Sequence, residues 1–347
     1  MTITPSYLIN NCAKMTKRKW LEYSVKKSLI NQAGRELLIV YSPCVLNLGW
    51  LDEWMTIFQE RSIKADSYKL DGEPSWNDLI ECRSKISSKT RIWGLGGGSV
   101  MDLAKLVSVE VCECDRKMNF LRPKKLVQRH KVWLFPTHYS SSSYVSSSAT
   151  LIRDQHKISG VGLTVEKVFI DPNVLKSVPE KAWIYGSIDT VTHFVEILCS
   201  VKSSDSLRIM ALTGWWDDYL KALENYDYES LFYLAGFLYG ELFELYAVSW
   251  PMHHIAHELG PKLELNHGET LALILPLFLR ARLKNQIYEN LYQLLHSVSN
   301  WINMQPISLL SNEQLVIFDN LNLWNEENWF DPNESCNSFE FKEYLRK

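Results

Sequence analysis

Gly94-Leu95-Gly96-Gly97-Gly98-Ser99-Val100-Met101-Asp102-Leu103-Ala104-Lys105 is the stretch on which the reading of the fold turns. It continues a short apolar run, Arg91 to Leu95, that predicts a buried strand, and it opens a periodic run, Val100 to Val111, that predicts a helix. Adjacent glycines let a backbone approach a ligand closely. A helix start offers unpaired N–H groups and the positive end of its dipole to a phosphate. The segment therefore reads either as a pyrophosphate cradle or as a tight turn with no ligand. It matches neither G-x-G-x-x-G nor the Walker loop, so the usual nucleotide labels do not attach to it.

Outward from this turn, Leu37 to Tyr41 predicts a strand closed by Ser42-Pro43, and Val132 to Phe135 one ended by Pro136. Val168 to Ile170 predicts a fourth, ended by Asp171-Pro172, and Leu51 to Phe58 has helical spacing. Strands separated by helices imply a mostly parallel, Rossmann-like α/β sheet. Past residue 180 the segments 186–200, 208–224, 229–248, 251–260, 268–283 and 285–302 suit helices, and strand-like alternation disappears. The expectation is an α/β dinucleotide-binding domain over 1–180 and an all-α metal- and substrate-binding domain over 181–347. Ser140 to Ser148 holds seven serines in nine residues and reads as a flexible linker or a ligand loop.

A chain of 347 residues suits two domains. Charged residues make up 22%, with a net charge of −3 and no long block of one sign, so no basic face for nucleic acid is expected. The first thirty residues mix lysines with acids and suggest no export signal. The longest apolar stretch, Leu271 to Leu279, is far short of the roughly 20 residues a bilayer requires. Seven scattered cysteines form no metal-type pairs and read as reduced thiols. These features point to a cytoplasmic protein without membrane or nucleic-acid partners.

Chemistry concentrates in two windows. Asp189 and His193 stand four apart in a helical pattern, which places both on one face. His253 and His257 repeat that spacing in Met252-His253-His254-Ile255-Ala256-His257, on a helix expected to end at Gly260, and His267 follows in Asn266-His267-Gly268. Imidazoles with one carboxylate suit Zn²⁺ or Fe²⁺ rather than the all-oxygen shells of Ca²⁺ or Mg²⁺. The spacing alone also fits helix-surface pairs that bind nothing.

The combination resembles the iron-containing alcohol dehydrogenase family, related more distantly to glycerol dehydrogenases and dehydroquinate synthases, over about residues 36 to 280. The family pattern G-G-G-S-x-x-D-x-x-K is matched by Gly96, Gly97, Gly98, Ser99, Asp102 and Lys105. D-x-x-x-H is similar to Asp189 and His193, and H-x-x-x-H-x-L-G to His253, His257, Leu259 and Gly260. P-H-G resembles Asn266-His267-Gly268, with the proline replaced. The resemblance implies a dehydroquinate synthase-like fold and a homodimer. It implies one divalent metal, Fe²⁺ or Zn²⁺, on Asp189, His193, His253 and His267, with His257 as the catalytic residue beside nicotinamide and substrate. The implied activity is a metal-dependent, NAD(P)H-linked alcohol dehydrogenase or aldehyde reductase.

Departures are as informative. The family loop P-T-T-x-G-T-G-S-E is here Pro136-Thr137-His138-Tyr139-Ser140-Ser141-Ser142-Ser143-Tyr144, both glycines having become serine and the glutamate tyrosine. Serine hydroxyls can still bond a cofactor, so Thr137, His138, Ser141 and Ser143 join Ser42, the glycine loop, Ser99, Asp102 and Lys105 as expected cofactor contacts. Many NAD-using relatives carry aspartate where this chain has Ser42. Without that carboxylate the repulsion of a 2′-phosphate is gone, which favours NADP(H) over NAD(H). The substrate expected is a small aldehyde or primary alcohol, a phosphonate- or phosphate-bearing aldehyde being one version. The rival readings are a carbocycle-forming synthase or a polyol or glycerol-phosphate type dehydrogenase of the same fold, and a non-catalytic cofactor-binding relic.

Overall fold

A computed structural model of the chain describes residues 14–17, 21–32, 34–110, 127–140, 143–154, 156–160, 163–200, 206–243, 251–285, 289–307, 311 and 314. Its strands are β1 (Lys14–Lys17), β2 (Glu36–Tyr41), β3 (Lys64–Lys69), β4 (Arg91–Gly96), β5 (Val109–Glu110), β6 (Val127–Gln128), β7 (Val132–Pro136), β8 (Ala149–Arg153), β9 (His156–Gly160) and β10 (Lys167–Ile170). Six of them form one sheet in the order β1-β10-β7-β4-β2-β3, every pairing parallel. The four apolar runs of the sequence are its four inner strands. β4 and β7 are buried almost end to end, as strands covered on both faces must be.

Helices α1 (Tyr23–Ile30), α2 (Pro43–Asn47), α3 (Trp50–Glu60), α4 (Trp76–Ser84) and α5 (Gly98–Val107) lie between the strands. α5 ends four residues earlier than expected. The carbonyl of Ser108 accepts from the amides of Arg129 and His130, and Val109–Glu110 pairs antiparallel with Val127–Gln128, so the chain leaves the helix for a ribbon. β8 and β9 form a hairpin.

The core of the sheet is aromatic. Trp93 on β4 and Trp133 on β7 are register partners, stacked with centroids 5.4 Å apart. Trp54 of α3 meets Trp93 edge-on at 5.0 Å, and Phe135 stacks on Phe169 of β10 at 5.0 Å. Trp54, Trp93 and Trp133 are fully buried, and such pairs add about 0.5–1.5 kcal/mol each beyond the area they bury.

Compact packing divides the chain into Met1–Val178 with Asp227–Gly240, and Pro179–Tyr226 with Glu241–Lys347. The expected division at residue 180 thus differs in one respect: helix α8 (Tyr228–Phe237) belongs with the sheet. Tyr144 is the physical reason. It is fully buried, its hydroxyl donates to the carbonyl of Phe232 at 2.9 Å, and a side chain at Gly236 would touch its ring. α8 runs on into a π-helical turn, Leu238–Phe243.

The second unit contains α6 (Glu180–Ser200), α7 (Ser206–Glu224), α9 (Pro251–Leu263), α10 (His267–Asn285) and α11 (Glu289–Asn303). Phe194 of α6 stacks with both Trp215 and Trp216 of α7, at 4.8 and 5.5 Å. Among the described residues no helix is long and apolar enough to cross a membrane. Trp93→Ala, which removes the centre of the aromatic layer, is expected to destabilise the first unit by about 3–5 kcal/mol in denaturant unfolding monitored by fluorescence.

Candidate metal centre and cofactor loop

Asp189, His193 and Glu196 recur at i, i+4 and i+7 along α6 and share one face. All three are buried, at 6%, 4% and 1% exposure. α9 brings His253, also buried, against them in its first turn. His253 Nε2 lies 3.5 Å from Asp189 Oδ1, and His193 Nδ1 lies 3.8 Å from the same oxygen. The two imidazoles stack with centroids 4.4 Å apart. One ligand atom from each of Asp189, His193 and His253 falls within 4.8 Å of the others.

This donor set fits a divalent ion. Bonds of about 2.0–2.1 Å in tetrahedral geometry place ligand atoms about 3.4 Å apart, close to the separations found here. Among the described residues no hydrogen-bond donor meets the buried Asp189 Oδ1. A buried carboxylate oxygen left so is costly unless a cation satisfies it. Burial, with the His253 charge adding to it, pushes His193 down to about 3, which keeps its ring in the neutral, lone-pair form. At His253 burial acts in the same direction, but the charges of Glu196 and Asp189 outweigh it and raise the ring to about 9 while no ion is bound.

His267 joins this group more loosely. Its Nε2 is 3.8 Å from Asp189 Oδ1 and its ring is 5.2 Å from that of His253, but it stands outside the three-residue cluster. It occupies the first position of α10, where Asn266 replaces the family proline and builds a reciprocal cap: Glu269 N donates to Asn266 Oδ1, and Asn266 N to Glu269 Oε2. Gly268 is required by contact, since a Cβ there would fall 2.8 Å from the carbonyl oxygen of Tyr185 on α6. His257 is half-buried on α9, its ring 5.5 Å from that of His267, whereas His254 is exposed. Gly260 does not end the helix, which continues to Leu263. The glycine instead makes room for α10, because a Cβ would sit 3.0 Å from Thr270 Oγ1.

Glu196 was not among the expected site residues. Its Oε2 is 2.7 Å from His253 Nδ1, and its Oε1 accepts from the amides of Met252 at 3.0 Å and His253 at 3.3 Å. The available signal was an acid seven residues after Asp189, set among Phe194, Val195, Ile197 and Leu198, where a solvated side chain would have no place.

In the first unit the glycine turn behaves as an open helix start. Gly97 precedes α5 with ordinary extended backbone, and among the described residues no side chain caps the helix there and a Cβ on Gly97 would meet nothing within 4 Å. The described glycines with positive φ are Gly34, Gly49 and Gly72, so clearance rather than unusual backbone angles distinguishes this loop. Gly96 is a packing glycine, since its Cβ would strike Val100 at 2.8 Å. Ser99 lies in the first turn of α5 beside Gly98. Ser42 N donates to Leu95 O and Thr137 N to Gly96 O, which places both residues at the strand ends flanking the turn. His138 Nδ1 accepts from Ser140 N at 3.1 Å. Ser141 lies outside the described residues.

Asp102 and Lys105, expected as cofactor contacts, face the serine loop. Lys105 is fully buried, and its Nζ donates to the carbonyls of Ser143 at 2.9 Å and Ser148 at 2.5 Å while lying 3.3 Å from Asp102 Oδ1. Asp102 accepts from Ser143 Oγ and from the amide and hydroxyl of Thr150. Ser146 and Ser148 bond each other, and Ser146 also donates to Tyr239. The run is therefore no flexible linker where it is described, and Ser143 spends its hydroxyl inside the protein.

A parallel-sheet unit with an open helix start, followed by a helical unit holding a carboxylate among imidazoles, has the dehydroquinate synthase-like fold. The chain belongs to the iron-containing alcohol dehydrogenase family, whose sequence profile matches residues 23–172 and whose C-terminal profile matches residues 183–309. It is 25% identical over 266 residues to long-chain-alcohol dehydrogenase 1 of Geobacillus thermodenitrificans, covering 70% of this chain and 65% of that one. It is 22% identical over 283 residues to the bifunctional aldehyde-alcohol dehydrogenase of Escherichia coli, covering 71% and 30%. The chain thus spans just under two thirds of the first relative and under a third of the second. NADH-dependent butanol dehydrogenase A of Thermotoga maritima superposes with a TM-score of 0.74 at 20% identity, over 90% of this chain and 89% of that one. Sulfoacetaldehyde reductase of Bifidobacterium kashiwanohense, in complex with NAD⁺, gives 0.68 at 16% identity, over 97% of each. At such identities the structures speak for the fold.

Lys105→Met would leave the Asp102 carboxylate without its cation and the loop carbonyls without their donor. Unfolding is expected to be easier by about 3–5 kcal/mol, with faster proteolysis between residues 140 and 150.

Proposed function

We propose that the chain is a metal-dependent, NAD(P)H-linked alcohol dehydrogenase that interconverts small aldehydes and primary alcohols. The observation carrying this reading is the buried group Asp189, His193 and His253, spaced as ligands of one ion around an oxygen that no hydrogen bond among the described residues satisfies. His267, 3.8 Å from Asp189, is the fourth donor proposed. When bound, Fe²⁺ or Zn²⁺ supplies Lewis acidity to the carbonyl or alkoxide oxygen, and the reduced nicotinamide supplies the hydride.

The protein's own residues then have defined tasks. One carboxylate and three neutral imidazoles leave a divalent ion with net positive charge, which preserves its pull on oxygen. Burial of Asp189, His193 and His253 keeps bulk water from competing. His257, half-buried, gives a ring proton to the product oxygen in reduction and takes it back in oxidation. The uncapped start of α5 holds the pyrophosphate, with Ser42, Thr137 and His138 along its flank.

Ser42 in place of an acid supports a preference for NADP(H). The hydroxyls of Ser143, Ser146 and Ser148 are engaged within the protein, so they lend no support to a phosphonate- or phosphate-bearing substrate. A homodimer, implied by the family resemblance, completes the proposal.

Purified protein loaded with Fe²⁺ or Zn²⁺ should oxidise NADPH in the presence of short aldehydes, read as loss of nicotinamide absorbance. No turnover with any aldehyde and either nucleotide would reject the activity. Asp189→Asn should reduce the ion retained after dialysis from about one per chain to less than about a tenth, and His267→Ala should abolish turnover. Ser42→Asp is expected to weaken NADPH binding roughly tenfold or more while sparing NADH, by titration of nucleotide fluorescence.

A further inference from the structure

Glu196 joins α6 to α9 through both of its oxygens. Oε1 takes the amides of Met252 and His253, two of the first-turn N–H groups that a helix cannot satisfy internally, and its charge faces the positive end of the α9 dipole. Oε2 is 2.7 Å from Nδ1 of the His253 ring. A carboxylate can only accept there, so Nδ1 carries a proton, and in the neutral ring that an ion requires the lone pair belongs to Nε2, the nitrogen 3.5 Å from Asp189 Oδ1. One carboxylate therefore fixes where α9 begins, which tautomer His253 adopts and which nitrogen faces the ion.

We infer that Glu196 is a positioning residue of the metal centre, holding His253 in the ligating tautomer while fastening the helix that carries it. The inference rests on the metal reading given above. Glu196 stands outside the cluster of Asp189, His193 and His253, so its effect is on ion affinity through His253. A carboxylate behind a ligand imidazole also makes that ring a stronger donor, and loss of such partners typically weakens ion binding about 10- to 100-fold.

Competition with a chelator measures Zn²⁺ affinity in the full-length protein and in Glu196→Gln. The substituted amide keeps the shape but loses the charge, and its NH₂ group cannot serve the α9 amides. The expected result is about 10- to 100-fold weaker Zn²⁺ binding, alongside a smaller rise in melting temperature when Zn²⁺ is added. Unchanged affinity in a folded Glu196→Gln protein would overturn the inference and leave the metal reading standing. A residue that only capped the helix would lower the melting temperature of the ion-free variant and leave the Zn²⁺ affinity intact.

If Glu196→Gln does not fold, the unaltered protein decides. With ¹⁵N-labelled histidine and bound Zn²⁺, His253 should show a protonated Nδ1 and a metal-bound Nε2, whereas a metal-bound Nδ1 would refute the role. An unaltered protein that takes up no Zn²⁺ at all would overturn the metal reading and this inference with it.

Discussion

Burying a carboxylate is costly unless cations or N–H groups surround it, and each unit of this protein is organised around that constraint. In the sheet unit the buried acid is Asp171, answered by the amides of Leu21 and Asn173, while the half-buried Asp102 is answered by Lys105, Ser143 and Thr150. In the helical unit the acids are Asp189 and Glu196, on one face of α6. Glu196 is satisfied by the start of α9, whereas Asp189 is surrounded by imidazoles and still has an oxygen to offer. The contrast separates scaffold from site: a buried acid whose partners are complete holds structure, and one whose partners are incomplete is prepared for a ligand.

The inner strands were legible because burial on both faces demands unbroken apolar runs, and Leu37–Tyr41, Arg91–Leu95, Val132–Phe135 and Val168–Ile170 supply them. The outer strands were not. β3 reads Lys-Ala-Asp-Ser-Tyr-Lys, with exposed lysines at both ends, and it is a strand because β2 offers it six registered partners. A polar edge of this kind discourages further pairing, which is why it does not announce itself as a strand. The end of α5 was misjudged for a related reason: Val109 continues the apolar pattern, but the Ser108 carbonyl has better partners across the ribbon.

The site divides in the same way. Asp189 and His193 could be paired by helical spacing, and the short window around His253 could be singled out, because histidines grouped with a carboxylate are few and chemically distinctive. The apolar neighbours of Glu196 set it apart from a surface acid, but its partner became visible only where α9 begins against it. Asp102 and Lys105 were recognised by pattern, but nothing in their spacing reveals that the serine loop folds back over them. Gly260 was read as a helix stop, although what it provides is clearance for Thr270.

The attachment of α8 to the sheet means that the backbone passes between the two units three times, at 178/179, 226/227 and 240/241. Neither half is a single continuous ribbon of sequence. A gene cut at residue 180 would yield a sheet whose Tyr144 has lost its lid and a helical remainder carrying an orphan segment. Recombination that swaps halves between relatives would succeed only where both stretches travel together, so the two halves of this chain are bound to be inherited as one.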